Sequence, residues 1–366
     1  MRGRSFVALL LRMTGNAAAL AGFFGESLTQ DTRPSPGAKR VGIPALAFFA
    51  ATLARVVCGQ TISEFRIPTA DSLPSGIATG SDGALWFAEF GGNKIGRVTT
   101  AGVITEFAIP TANSGPALVG AGPDGAIWFA EFYGNRIGRI TTGGGITEFT
   151  VPTPQSGPYA IVAGPDGNLW FTEAEGNRIG RITPAGVVTE FPVPTADSDP
   201  YVLAAGPDGN LWFTESEGNK IGRITTAGVI TEFPLASEDS FPIGIAAGPY
   251  GDLWFTEFNE VTGNKVGRIT PEGIITEFSI PTAASQPRGI TAAPDGNIWF
   301  TEFAGGKIGR ITPAGAITEF RISMADSQPL RITAGPDGGL WFTQRSGNAI
   351  GRIAVGRRDS RVVPFR

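Results

Sequence analysis

Seven tryptophans divide most of the chain into units of nearly equal length. Successive tryptophans lie 42, 42, 42, 42, 45 and 42 residues apart. They are Trp86, Trp128, Trp170, Trp212, Trp254, Trp299 and Trp341. A pattern that returns every 40 to 50 residues or so is typical of a β-propeller or a solenoid, because one small structural unit is being repeated.

Each repeat has the pattern of four short strands joined by tight turns. In the third repeat, "YAIVAG" ends at "PDG", "NLWFTE" follows, "GN" turns the chain into "RIGRIT", and "PAG" turns it into "VVTEF". Gly, Pro, Asn and Asp at these places are the residues that hairpin turns favour. No segment of the repeat has the length and the 3.6-residue periodicity of a helix. One repeat therefore predicts one four-stranded antiparallel sheet.

Both faces of the central strand carry bulky side chains. In "LWFTE" of the third repeat, Leu169 and Phe171 point to one face, and Trp170 and Thr172 point to the other. Such a sheet needs a neighbour on each side, and a closed ring of sheets supplies both. The sequence therefore predicts an all-β fold, a seven-bladed β-propeller of four-stranded antiparallel blades.

The propeller is expected to span residues 60–354, followed by a C-terminal tail at 355–366. "TISEF" at 61–65 is an outermost strand without a blade of its own, and "RVVPF" at 361–365 is the other candidate for that place. Pro364 cannot donate a ladder hydrogen bond. We therefore expect residues 61–65 to complete the seventh blade, so that the N- and C-terminal segments pair and close the ring.

Residues 1–59 lie outside the repeats and resemble a leader. Lys39 and Arg40 precede an apolar run of about 14 residues, and small residues follow near Gly59. This run, within the segment at about 39–59, is shorter than a membrane span. It predicts a bacterial secretory signal cleaved near Val57–Gly59, and hence a secreted, periplasmic or cell-envelope protein. A disordered or anchoring leader is the alternative.

The absence of histidine excludes several classes of catalytic site. Ser-His-Asp triads, histidine-bound zinc and histidine general bases all need an imidazole. A single cysteine excludes an intrachain disulfide, and a net charge of −4 gives no basic footprint for nucleic acid. Any catalysis would have to use Glu, Asp, Lys, Tyr or a metal bound by oxygen atoms.

The repeated string "GPDGNLWFTE", followed by "GNKIGRIT" and "ITEF", resembles the streptogramin B (virginiamycin B) lyase family over about residues 61–353. The resemblance implies a seven-bladed propeller. It also implies a magnesium-dependent elimination that opens a cyclic depsipeptide antibiotic at its ester linkage, with two histidines and metal-associated glutamates at the site.

The positions of that implied site hold other residues in this chain. The first histidine position, after the proline of "QPRGI", is Arg288, and the second, in "QPLRI", is Leu330. The glutamate two residues before the second histidine becomes Gln328. The glutamate after the seventh tryptophan falls on Gln344 and Arg345.

A tyrosine of the first blade that contacts substrate in the family corresponds to Ser75. An arginine has no free lone pair with which to accept a proton, and Arg345 would repel a cation. The resemblance thus predicts the scaffold, whereas the changed positions predict loss of the lyase activity. No residue is assigned as catalytic, and no metal ligand is assigned.

Charged residues that recur from repeat to repeat are interpreted as structural. The recurring glutamates are Glu89, Glu131, Glu173, Glu215, Glu257 and Glu302. The recurring arginines are Arg97, Arg139, Arg181, Arg223, Arg268, Arg310 and Arg352. We expect ion pairs and hydrogen bonds within or between blades. A ring of charge in the channel is the alternative.

A ligand site is expected where the repeats differ, above all just after the proline that opens each innermost strand. The ligand-binding candidates are Tyr159, Tyr201, Asp199, Glu238, Arg288 and Arg331. The family resemblance implies that these positions face the mouth of a central channel. Aromatic and acidic side chains on one side of this mouth and arginines on the other suit a small polar or zwitterionic molecule. Ordinary solvated loop residues are the alternative interpretation.

Two functions from different classes remain open on the sequence. The first is a monomeric, secreted binding protein for a small polar molecule or an extracellular partner, without cofactor. The second is a lyase or lactonase-type enzyme on a cyclic ester or a similar small molecule, with Mg or Ca held by carboxylates such as Asp197, Asp199 and Glu238. The sequence names no ligand.

Overall fold

The computed structural model describes residues 61–259 and 264–356. Over these residues the chain forms seven four-stranded antiparallel sheets and no helix, and so none that crosses a membrane. The all-β, seven-bladed prediction is confirmed. The leader, residues 1–59, and the segment 361–365 lie outside the described residues.

The strands occupy four concentric positions, and the chain runs outward through each blade. The innermost strands are β2 (Pro74–Thr79), β6 (Pro116–Ala121), β10 (Pro158–Ala163), β14 (Pro200–Ala205), β18 (Pro242–Ala247), β22 (Pro287–Ala292) and β26 (Pro329–Ala334). The second strands are β3 (Leu85–Glu89), β7 (Ile127–Glu131), β11 (Leu169–Glu173), β15 (Leu211–Glu215), β19 (Leu253–Glu257), β23 (Ile298–Glu302) and β27 (Leu340–Gln344).

The two outer positions complete each blade. The third strands are β4 (Lys94–Val98), β8 (Arg136–Ile140), β12 (Arg178–Ile182), β16 (Lys220–Ile224), β20 (Lys265–Ile269), β24 (Lys307–Ile311) and β28 (Ala349–Ile353). The outermost strands are β5 (Ile104–Ala108), β9 (Ile146–Thr150), β13 (Val188–Pro192), β17 (Ile230–Pro234), β21 (Ile275–Ser279), β25 (Ile317–Arg321) and, for the seventh blade, β1 (Ile62–Arg66).

Each blade is held by an aromatic stack that crosses its sheet. Trp170 stacks on Phe191 of the same blade with ring centroids 5.5 Å apart, and Arg181 lies 5.6 Å from both centroids. On the other face, Phe171 covers Gly180, where an added Cβ would lie 2.1 Å from the ring. Stacked rings and a cation on their face stabilise each other beyond the area that they bury. The Trp–Phe–Gly pattern of the repeat is therefore a packing motif.

The seventh blade is completed by the N-terminal strand. β1 pairs antiparallel with β28, Phe65 faces Ile350 in the register, and the sheet order is β1-β28-β27-β26. Phe65 also supplies the ring that stacks on Trp341, at 5.4 Å. Residues 61–65 therefore take the place expected for them. β26 packs against β2, as the other innermost strands pack against their neighbours.

Hydrogen bonds also link neighbouring blades at their outer edges. Thr195 lies in the loop that leaves the third blade, and its amide and hydroxyl donate to Glu232 of the fourth, at 2.9 and 2.8 Å. Lys220 donates to the same carboxylate at 2.8 Å. Hydrogen bonds to a charged acceptor are shorter and stronger than neutral ones. This arrangement fixes one blade against the next.

Candidate functional site

The channel mouth is the end of the propeller where the innermost strands begin. Each of these strands has a β-bulge directly after its proline; in the fourth blade the bulge lies between Pro200 and Leu203. A bulge turns side chains away from the regular alternation. The first bulged residues, which define the mouth here, are Ser75, Ala117, Tyr159, Tyr201, Ile243, Arg288 and Leu330.

In six of the seven blades, the loop before the proline is fixed by an asparagine of the preceding blade. In the fourth blade, Ser198 is fully buried, and its amide and hydroxyl donate to Oδ1 of Asn177 at 2.9 and 2.8 Å. Asp199 then adopts a left-handed conformation, with φ of 52°. The mouth residues of these six blades are therefore positioned by two blades at once. Before the seventh blade Gly306 replaces the asparagine, and the Ser327 hydroxyl has no hydrogen-bond partner among the described residues.

Tyr159 and Tyr201 form the predicted aromatic wall. Their rings stack with centroids 4.1 Å apart, and the Tyr201 hydroxyl donates a 2.7 Å hydrogen bond to the Tyr159 hydroxyl. Both side chains are buried, and burial raises the pKa of Tyr201 well above its usual value. Phe132 of the second blade meets the edge of Tyr159 at 6.4 Å. The tyrosines thus fill one side of the mouth.

Arg331 comes from the seventh blade and reaches the tyrosine pair. Its Cζ lies 6.0 Å from the ring centroid of Tyr159 and 5.8 Å from that of Tyr201. It is the second bulged residue of its strand, after Leu330. The sequence predicted arginines on the side of the mouth opposite to the tyrosines. The side chain of Arg331 reaches from the seventh blade to both tyrosine rings.

Arg288 is held between two phenylalanines. Its Cζ lies 4.0 Å from the ring centroid of Phe303 and 4.6 Å from that of Phe258. Only 2% of the residue is exposed, and desolvation lowers its pKa to about 10, with Arg345 and Arg331 acting in the same direction. At neutral pH it therefore remains a cation in a largely apolar setting. Sequence reasoning missed both phenylalanines.

Arg345 lies on the hairpin that follows β27. Its Cζ is 5.8 Å from the ring centroid of Phe90 of the first blade, and desolvation lowers its pKa. Among the described residues, no ion pair joins Arg288, Arg331 or Arg345 to a carboxylate. The mouth accordingly gathers three cations without a matching anion.

The acidic candidates do not come together as a cluster. Asp199 is buried, at 7% exposure, and neither carboxyl oxygen has a hydrogen-bond partner within the described chain. Desolvation, followed by Glu217 and Glu175, raises its pKa to about 8. Asp197 and Glu238 are exposed in their loops. In residues 61–259 and 264–356, no group of three acidic or cysteine side chains is arranged to hold a metal ion.

A cavity of about 90 Å³ lies in the channel, surrounded by the innermost strands. Six of these seven strands contribute to its wall, and Arg331 is its one charged residue among those described. The remaining lining is glycine and aliphatic. Gly76, Gly244 and Gly289 are among these residues. A small molecule in the channel thus meets an apolar wall with a single guanidinium.

Comparisons with known proteins agree on one family. The model of the virginiamycin B lyase family matches residues 61–282 and 257–363. The chain belongs to this family. A search of curated proteins finds no match.

Solved lyase structures resemble the chain over its whole propeller. A streptogramin B lyase is 40% identical, covers 82% of this chain and 99% of its own, and gives a TM-score of 0.78. Selenomethionine-substituted virginiamycin B lyase from Staphylococcus aureus is 41% identical, covers 81% and 100%, and gives 0.77. A catalytically inactive variant of the S. aureus lyase with quinupristin is 40% identical, with the same coverage and a TM-score of 0.77.

The residues at the family's metal positions do not fit magnesium. Gln328 accepts a 2.6 Å hydrogen bond from Ser346, and Gln344 donates to Glu64 at 3.4 Å. Arg345 brings a positive charge to the same hairpin. Magnesium is bound through carboxylates and water, and a guanidinium repels it. No step through magnesium is therefore derived for this virginiamycin B lyase family member.

Two other family positions have structural roles or apolar side chains. The Ser75 hydroxyl, where the family places a tyrosine, donates to the carbonyl of Ala117 in the next blade at 2.6 Å. Leu330 is buried beside Arg331. A serine that bonds to a neighbouring backbone is fixed in the blade junction, so Ser75 is unlike a substrate contact.

The recurring arginines make ion pairs and hydrogen bonds, as the structural interpretation expects, whereas the buried carboxyl oxygens of the recurring glutamates have no hydrogen-bond partner within the described residues. Arg139 donates to Asp124 at 2.6 Å, and the same carboxylate accepts from the Trp128 indole at 3.1 Å. Glu131 is fully buried at the end of a second strand, where burial and, after it, the nearby Glu148 together raise its pKa to about 8. The Arg139–Asp124 pair thus stabilises its blade within the virginiamycin B lyase family scaffold, whereas Glu131 lies opposite Pro116, next to the mouth residue Ala117.

Proposed function

We propose that the protein is a binding propeller of the virginiamycin B lyase family that has lost the family's histidine- and magnesium-dependent elimination. Its ligand is a small polar or charged molecule bound at the channel mouth. The scaffold is that of the lyases, whereas the residues that would move protons or hold magnesium are replaced by Arg288, Gln328, Leu330 and Arg345.

The absence of histidine from all 366 residues carries this proposal. The S. aureus lyase described above as catalytically inactive carries a histidine-to-alanine substitution. A chain without any histidine lacks that group at every position. The guanidinium of Arg288 cannot act as the base, because it has no lone pair available for a proton.

Binding at the mouth is supported by its side chains. The stacked Tyr159–Tyr201 pair offers an aromatic face, and Arg331 adds a cation beside it. Binding sites commonly combine apolar walls with a few convergent polar groups. The cavity lined by Arg331 has this composition.

The loss of lyase activity is tested by incubating the purified chain with a type B streptogramin and magnesium. The S. aureus lyase, assayed in parallel, is the positive control. We expect ring opening by the lyase and none above background by this chain. Ring opening at a comparable rate would overturn the proposal.

An enzyme that uses a carboxyl group is the second candidate, and Asp199 favours it. A buried carboxyl whose pKa is about 8 carries a proton at neutral pH and can serve as a general acid. A carboxylate-held Mg or Ca would raise the melting temperature of the folded chain. A titration with either ion up to millimolar concentration separates the candidates, since a lactonase-type site predicts a shift and a metal-free binding protein predicts none.

Export is a separate part of the proposal and rests on the segment at about 39–59. The mature protein is expected to begin near residue 59, outside the cytoplasm of its bacterial host. N-terminal sequencing of the protein recovered from a cell fraction tests this. A mature chain that begins before residue 40 would contradict a cleaved signal.

A further inference from the structure

The guanidinium of Arg288 is covered by aromatic rings, but one of its edges has no hydrogen-bond acceptor among the described residues. Phe303 covers one face, with its centroid 4.0 Å from Cζ, and Phe258 lies 4.6 Å away. The aromatic contacts satisfy the cation electrostatically, but they accept no N–H in the plane of the group. The in-plane donors therefore need acceptors from elsewhere.

Two of these donors, Nε and Nη2, are buried and have no hydrogen-bond partner in the described part of the chain. Nε–H and Nη2–H point in parallel from one edge of a guanidinium. This edge is the fork that binds two oxygens of a carboxylate or a phosphate. A buried charged donor without an acceptor is costly, so the edge favours an anionic group strongly.

The surroundings add positive charge, and no ion pair joins Arg288 to a carboxylate within the part of the chain that the structure describes. Arg331 has an Nε that is likewise buried and unbonded within residues 61–259 and 264–356. Arg331 and Arg345 are close enough to lower the pKa of Arg288. Asp199, whose carboxyl oxygens have no hydrogen-bond partner in the described chain, is influenced by Glu217 and Glu175 instead of by an arginine.

We propose that Arg288 and Arg331 form an oxyanion-binding site in which the Nε–Nη2 edge of Arg288 takes both oxygens of a carboxylate or phosphate group on a small ligand. Arg331 lines the channel cavity together with Gly289, the residue that follows Arg288, and the Tyr159–Tyr201 stack lies against Arg331. The inference rests on the proposed binding function and specifies its ligand class. Arg288 stands at the position that the family resemblance gives to a histidine, and it would bind a ligand there without accepting a proton.

The test is isothermal titration of the full chain with four probes at constant ionic strength. Benzoate and acetate present a carboxylate, inorganic phosphate presents a phosphate, and benzamide is the neutral counterpart of benzoate. We expect saturable binding of at least one anion and none of benzamide. The anion that binds more tightly identifies whether the natural group is a carboxylate or a phosphate.

Arg288→Lys is the decisive variant, because it keeps the positive charge and removes the fork. We expect the Kd of the preferred anion to rise about 10- to 100-fold, as loss of a charge-assisted hydrogen bond implies. Arg321→Lys is the matched control on β25 of the same blade, where the side chain is exposed, and it should leave the Kd unchanged.

Arg331→Lys provides a second variant should Arg288→Lys unfold, as judged by its melting curve. It is expected to weaken anion binding and to leave benzamide unbound. The site is refuted by no saturable binding of any anion, or by equal Kd values in the parent and both lysine variants. Ring opening of a streptogramin would refute the binding function separately, so the two failures are distinguishable.

Discussion

Gln344 faces Ala349 across the seventh blade, at the position where every other blade pairs a buried glutamate with a lysine or an arginine. The register places Glu173 opposite Arg178, Glu215 opposite Lys220, and Gln344 opposite Ala349. Both members of the pair have changed together in one blade. The neutral amide at 344 therefore matches the missing cation at 349.

A residue next to this pair has also lost a polar group. Met324 occupies the place of the threonine or serine that bonds to the outer glutamate in the other blades, and it packs in the apolar cluster of the seventh blade. Glu64 of β1 receives its hydrogen bond from Gln344, at 3.4 Å. A second carboxylate at 344 would meet Glu64 with no cation to neutralise it. The contacts within the blade therefore explain why a glutamine stands at 344 without reference to any metal.

Gln344→Glu is expected to destabilise the propeller by about 1–3 kcal/mol at pH 8, because it buries a carboxylate beside Glu64. Ala349→Lys in the same chain should recover a large part of this loss. A double-mutant cycle by denaturant unfolding should give a favourable coupling within about 0.5–3 kcal/mol. Ala349→Lys alone is the control, and additive effects would contradict the pairing.

Stability is expected to decline from mildly acidic to alkaline pH. Glu89, Glu131, Glu173, Glu215 and Glu302 have pKa values raised by burial to about 8, and Glu257 to about 7. Below the unfolded value of about 4.5, both states are protonated and the full stability is present. It is lost as pH rises through the folded pKa, because only the unfolded state gives up its protons at first.

Other carboxyls set the acid limit of this range. Hydrogen bonds from Arg97 and Trp86 outweigh desolvation and lower the pKa of Asp82, and those from Lys220 and Thr195 do so for Glu232. Their stabilisation is lost as pH falls through these lowered values. Melting temperatures measured from pH 3 to pH 9 should therefore peak under mildly acidic conditions, and a flat profile above pH 5 would contradict the raised values.

Glu173→Gln should make the decline at alkaline pH less steep. The variant removes one group that releases a proton on unfolding. Between pH 5 and 8 the unfolding free energy of the parent should therefore fall more steeply than that of the variant, by up to about 1.4 kcal/mol per pH unit. Gln344 shows that an amide fits this position of a blade. Denaturant unfolding at several pH values measures the slope, with Glu238→Gln in an exposed loop as the control that leaves it unchanged.

Thr256→Val is expected to cost about 1–3 kcal/mol and to weaken anion binding. The Thr256 hydroxyl donates to the Arg288 carbonyl at 2.8 Å and accepts from the Gly244 amide at 2.9 Å. Valine keeps the shape and leaves two buried backbone groups unpaired. Thr214→Val removes the same pair of bonds at Ile243 and Val202, so it should cost similar stability and leave anion binding intact. Equal effects of both variants on the Kd would argue against positioning of Arg288 by Thr256.

Gly244→Ala is expected to destabilise by about 1–3 kcal/mol or more, because a Cβ there would lie 2.1 Å from the carbonyl oxygen of Arg288. Backbone would have to move, and the site would move with it. Gly356→Ala, with no atom within 4 Å of the new Cβ, is the control. Unfolding measurements decide this, and a variant as stable as the parent would mean that β18 and β22 are less closely packed than described.

The blades were predictable because the same residue pattern, and with it the same packing contacts, recurs in all seven repeats. Trp170 on Phe191 and Phe171 on Gly180 are fixed by local pattern, and the strand at 61–65 was identifiable as a surplus fourth strand. One copy of the repeat suffices to predict the sheet, and the spacing of the tryptophans suffices to count the blades.

The mouth was predictable only in part, since its contacts join residues from different repeats. Tyr159 and Tyr201 were found because the position after each proline varies. Phe258 and Phe303 were missed, although a signal exists one residue after each second strand. At that position the third and fourth blades have the small residues Ala174 and Ser216. These are the two blades in which a tyrosine follows the proline of the innermost strand. Glu238 was placed near the mouth by sequence proximity, but its loop directs it to solvent.

The pairing of β1 with β28 has a consequence for how the chain reaches its native state. β1 emerges first from the ribosome, and β28 emerges only after all the other strands. Until then Phe65 has no Trp341 to cover, and the last blade cannot form. Contacts between such distant segments carry the largest entropic cost of closure and form late. The ring can therefore close only after β28 has been synthesised and has paired with β1.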